Sequence, residues 1–79
     1  MKLTDLDPKL TDTTLGFRCP ACGEHRIMIP IAPGSPVSGN PWKATGTVEN
    51  LSVTPSIDAE TRPNCRWHGF ITNGEMLTC

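Results

Sequence analysis

Two short stretches share one frame: Cys19-Pro20-Ala21-Cys22-Gly23 near the start, and Cys65-Arg66-Trp67-His68-Gly69 near the end. Each reads cysteine, two residues, a second ligand type, glycine. A C-x-x-C turn brings two sulfurs to one side, and the following glycine lets the backbone aim amide N–H groups at the thiolates. With 42 residues between Cys22 and Cys65, the expected arrangement is two knuckles closing on one metal ion. A chain of 79 residues needs such a staple, because it buries too small a fraction of its surface to be stable on apolar burial alone. Structural zinc supplies on the order of 10–16 kcal/mol of apparent binding free energy in finger peptides, more than the few kcal/mol a core of this size nets. Metal loss is therefore expected to unfold the domain.

The four cysteines fit a metal site better than disulfides if the setting is reducing. After Met1-Lys2 the chain reads LTDLDPKLTDTT, with neither an apolar h-region nor a small-residue cleavage pattern, so a cytoplasmic location is expected. No stretch approaches the roughly 18 apolar residues of a membrane span, and no membrane partner is expected. Seven basic and eight acidic residues give a net charge of 7 − 8 = −1, which argues against strong nucleic-acid binding.

Eight prolines and seven glycines point to turns and extended chain. One small β-rich, metal-stabilised domain over residues 1–79 follows, zinc-ribbon-like, with residues 1–12 as a flexible or edge arm. TTLGFR from Thr13 to Arg18 and RIMIPI from Arg26 to Ile31 read as strands, the latter with Ile27, Ile29 and Ile31 on one face. APGSPVSGNP, residues 32–41, and DAETRPN, residues 58–64, read as loops. Between them Val48, Leu51, Val53 and Ile57 are candidate core residues, and Trp42 opens a strand.

The Asn73-Gly74 pair between apolar segments predicts a two-residue type I′ hairpin. Counting outward, Thr72 faces Glu75, Ile71 faces Met76, Phe70 faces Leu77, Gly69 faces Thr78 and His68 faces Cys79. Cys79 thus comes beside His68, and five candidate ligands converge on a site that needs four. In one set Cys19, Cys22, Cys65 and His68 hold one zinc per chain, and His25 is an exposed loop residue. In the other Cys79 replaces His68, and the imidazole is released for chemistry.

The two sets lead to two functions. A closed four-ligand zinc has no position for a catalytic water and is structural. The first reading is then a non-enzymatic module that contacts another protein through Arg66 and Trp67 at a knuckle tip. The alternative is a hydrolase or peptidase in which Ser56, in Thr54-Pro55-Ser56-Ile57, is the nucleophile and His68 its base.

The order CPxCG, strand, proline-rich loop, tryptophan, TPSI, C-x-x-H-G-F, Asn-Gly and terminal cysteine resembles an uncharacterised family of small zinc-ribbon-like phage and prophage proteins. The resemblance rests on Cys19, Cys22, Trp42, Pro55, Ser56, Ile57, Cys65, His68, Phe70, Gly74 and Cys79. Relatives of that family occur beside bacterial ubiquitin-like conjugation genes. The resemblance implies a phage-derived accessory protein in the host cytoplasm, and it keeps the peptidase alternative open.

Overall fold

The structure is a computed structural model that describes residues 1–62 and 65–79, with the backbone alone at residues 60–62 and 65. Among the described residues a 3₁₀ turn, Leu3–Leu6, is followed by seven strands: β1 (Lys9–Leu10), β2 (Thr14–Arg18), β3 (Arg26–Pro30), β4 (Lys43–Thr45), β5 (Ser52–Arg62), β6 (Cys65–Thr72) and β7 (Glu75–Thr78). They form two antiparallel sheets, ordered β1-β2-β3 and β4-β5-β6-β7.

The C-terminal hairpin follows from its turn. Asn73 and Gly74 have φ of 49° and 79°, the left-handed values a type I′ turn requires, and they set the register Thr72↔Glu75, Ile71↔Met76, Phe70↔Leu77 and Gly69↔Thr78. The Cys79 N–H closes the ladder on the His68 carbonyl at 2.9 Å.

Alternation along the strands builds the core. Ile27 and Ile29 of β3, Leu15 and Phe17 of β2, and Val53, Ile57 and Ala59 of β5 are buried, together with Trp67 and Ile71 of β6. The Phe17 and Trp67 rings meet edge to face, centroids 6.0 Å apart and planes at 84°, and so join the two sheets. The N-terminal segment belongs to this core. Leu3 and Leu6, three apart on a 3₁₀ turn, share a face, and both are buried, while β1 is the outer strand of its sheet.

Two expectations change. The polar stretch from Asp58 does not leave the sheet: β5 continues to Arg62, because its backbone goes on pairing with β6 through Asp58↔His68, Ala59↔Trp67 and Arg62↔Cys65, and Pro63 and Asn64 lie outside the described residues. The second knuckle is also absent as a turn, since Cys65 to Thr72 is a single strand paired with both β5 and β7. The Cys19 knuckle is a true turn, with the Gly23 N–H on the Cys19 carbonyl at 2.7 Å and Gly23 at φ 69°.

One irregularity positions the site. Val53 pairs with Ile71 and Ile57 with Gly69, so three residues of β5 stand against one of β6 between these pairs. This bulge contains Thr54, Pro55 and Ser56.

Candidate functional site

Beyond the bulge, Ile57, Asp58 and Ala59 oppose Gly69, His68 and Trp67. Strand alternation sends Ile57, Ala59 and Trp67 into the core and leaves Ser56, Asp58, Arg66 and His68 together on the outer face. There His68 Nε2 lies 3.2 Å from Ser56 Oγ, a diagonal contact across the strand pair. With the ring proton on Nδ1, the serine hydroxyl donates to Nε2. A hydroxyl in this position can be a nucleophile, and the imidazole its general base.

Asp58 sits directly opposite His68. Arg66 grips its carboxylate with two hydrogen bonds, Nε to Oδ1 at 3.0 Å and a terminal nitrogen to Oδ2 at 2.7 Å. The hydrogen bonds from Arg66 hold the Asp58 carboxyl below its ordinary value, and the charges of Arg66 and His68 act in the same direction. A fixed negative charge therefore faces the imidazole. On the other flank of β5, the Trp42 indole N–H donates to the Ser56 carbonyl at 3.2 Å and anchors the bulge.

A second cluster lies in the turn between β2 and β3. One ligand atom each from Cys19, Cys22 and His25 falls within 4.8 Å of the others, and Cys22 Sγ is 3.0 Å from His25 Nδ1. Cys19 and His25 are buried, at 0% and 7% exposure, and the Cys19 N–H donates to the His25 carbonyl at 2.8 Å. These three residues can hold a metal ion. Two sulfurs and an imidazole form a donor set that suits a soft divalent ion, and the buried His25 Nε2 has no hydrogen-bond partner among the described residues.

The sequence-derived residues are thus distributed over two places. His68 is beside Ser56, and the metal-capable group among the described residues contains His25 and not His68. His25, expected in an exposed loop, is buried because its backbone closes the strand pair at Cys19. The Cys65 side chain lies outside the described residues. Cys79 is exposed and meets His68 through its backbone. Trp67 is 2% exposed, with its indole N–H on Thr78 Oγ1 at 3.0 Å, so it offers no ring to a partner; Arg66 is exposed and held by Asp58.

Asp58 was not foreseen, and His25 was read as a loop residue rather than a ligand, although both left signals. Ser56-x-Asp58 is a same-face pair on any strand, and Cys19, Cys22 and His25 recur every third residue.

A family model described as "Bacterial ubiquitination-like system serine protease (BubE)" matches residues 3–79. Searches of the curated proteins and of the solved structures find no match. The family match overturns the reading of the chain as a phage-type accessory binding module, since it points to protease chemistry, and it favours the hydrolase alternative.

Proposed function

Because the chain belongs to the BubE family, the serine proteases of bacterial ubiquitination-like systems, we propose that it hydrolyses a peptide bond with Ser56 as nucleophile and His68 as general base. The observation that carries this reading is the 3.2 Å separation of Ser56 Oγ and His68 Nε2.

In the acylation step His68 Nε2 takes the Ser56 hydroxyl proton as Oγ attacks the scissile carbonyl. The C–N bond then breaks, and the imidazolium returns the proton to the leaving amine. Water, deprotonated by the same nitrogen, attacks the acyl-enzyme and releases the acid with Oγ reprotonated. Asp58 stabilises the imidazolium by its charge, since both of its oxygens are committed to Arg66. That contribution acts through the field and needs no shared proton.

On this reading the metal would be zinc, held by Cys19, Cys22 and His25. Zinc would fix the turn that joins β2 to β3. It takes no part in the chemical steps.

The test is labelling with a fluorophosphonate, which phosphonylates an activated serine and expels fluoride. One adduct per chain on Ser56 is expected, lost in Ser56→Ala and strongly slowed in His68→Ala. An adduct elsewhere, or none on folded wild type, would reject the assignment.

A further inference from the structure

β4 ends its pairing with β5 at Lys43↔Thr54, so among the described residues no strand covers β5 from Ser56 onward on the side away from β6. β3 is likewise the outer strand of its own sheet. Between these two edges lies a groove of about 280 Å³, walled by Ile27, Ile29 and Pro30 on one side and Ile57, Asp58 and Ala59 on the other. Val37 and Ser38 also line it, and Trp42 closes one end.

The ladders show which backbone groups point into this groove. The His25 carbonyl accepts from Cys19 and the Ile31 N–H donates to Thr13, so the odd residues of β3 bond to β2, and Arg26, Met28 and Pro30 turn their groups outward. On β6 the His68 carbonyl serves β7, so its odd residues serve β5. Ile57 and Ala59 are thereby used, and Ser56 and Asp58 face out. Trp42 already reads this pattern. Its backbone N–H donates to the Pro30 carbonyl at 2.9 Å, and its indole N–H donates to the Ser56 carbonyl at 3.2 Å, so one residue spans both edges. The next outward groups along the two walls are those of Met28 and Asp58.

We propose that an extended segment of the substrate polypeptide docks in this groove as an added strand, its backbone bonding to Met28 on β3 and Asp58 on β5. The occupant is extended peptide because each wall offers alternating N–H and C=O groups, which only another backbone in β conformation matches along its length. The lining of Ile27, Ile29, Val37, Ile57 and Ala59 selects apolar side chains at alternate positions. The groove continues the line of β4, and Ser56 lies between it and His68: substrate arrives on one flank of β5, and the base stands on the other. This inference rests on the protease reading for its consequence at Ser56, whereas docking itself needs no turnover.

The experiment therefore uses the full-length Ser56→Ala chain, zinc-loaded, with a capped hexapeptide of alternating valine and threonine and an analogue N-methylated at alternate residues. Expected are shifts of the Met28 and Asp58 amide resonances with at least tenfold slower exchange, and at least tenfold weaker binding of the N-methylated analogue. Ser38→Trp, which fills the groove from an exposed loop, should weaken binding similarly while the rest of the amide spectrum is kept. Unchanged Met28 and Asp58 amides at millimolar peptide would overturn the proposal, as would equal binding of both peptides. Fluorophosphonate labelling of the wild type is independent of all these outcomes, so failure of the groove and failure of the serine assignment are told apart.

Discussion

The Trp67 ring stands edge-on to the Phe17 ring, centroids 6.0 Å apart, and this contact joins the strand leading to Cys19 with the strand that carries His68. Trp67 faces inward between Arg66 and His68, which face outward, so packing of the core fixes where the imidazole emerges. Trp67→Ala should cost about 3–5 kcal/mol, as for other large aromatic truncations in cores. Trp67→Phe should cost less, and urea unfolding of the two zinc-loaded variants is the check.

If Ser56 and His68 act as one unit, their losses will not add. His68→Ala should lower kcat by about 10²–10⁴-fold, the usual worth of a general base. Ser56→Ala should remove turnover to background, and the double variant should be no slower than Ser56→Ala alone. Multiplicative losses, measured on a peptide substrate, would separate the two residues.

Asp58 gives a pH dependence of stability with a definite sign. Its carboxyl is held below the ordinary value of 3.8 by Arg66, so the stabilisation is present above that value and is lost as pH falls through the lower folded value. Tm of wild type should fall more steeply below about pH 4 than Tm of Asp58→Asn. The effect should be small and salt-sensitive, because the pair is exposed. At neutral pH Asp58→Asn should lower kcat with little change in KM, by less than the loss of His68 does.

Native mass spectrometry separates the two histidines. One zinc per chain is expected in wild type and in His68→Ala, and none in Cys19→Ala or His25→Ala. A chelator should unfold the wild type, since the metal term exceeds what a core this small nets. Zinc kept in His25→Ala and lost in His68→Ala would restore the two-knuckle ligand set.

Gly69 is required for space. A β-carbon there would run into the Leu77 carbonyl oxygen and the Trp67 ring. Gly69→Ala should therefore destabilise the fold by about 1–3 kcal/mol and push β7 from β6, seen in amide exchange of the hairpin.

Where the sequence was legible, the local signal was strong and short-ranged. Asn73-Gly74 set the hairpin register residue by residue, and Ile27 and Ile29 announced the buried face of β3 by their spacing. The polar run from Asp58 hid a strand, because polar residues suggest a loop as readily as a strand's solvent face, and the pairing of Asp58 and Ala59 with His68 and Trp67 is made across the chain. The same lack of range misled the reading of C-x-x-H. Spacing alone does not distinguish a knuckle from an extended strand, and only the partners on both sides of β6 decide it. His25 was passed over for a similar reason, since the closure of β2 on β3 that buries it lies outside its own few neighbours.

The bulge in β5 also restricts how this gene can change in length. Because β5 carries two residues more than β6 between the pairs Val53↔Ile71 and Ile57↔Gly69, inward and outward positions stay in phase on either side. A single-codon deletion between Thr54 and Ser56 would reverse that phase, turning Ile57 to water and Asp58 to the core. Removing two codons would restore the phase while taking away the kink that brings the serine to the histidine. Descendants can therefore lose the Ser56–His68 contact by an even step and keep the fold, whereas an odd step forfeits both.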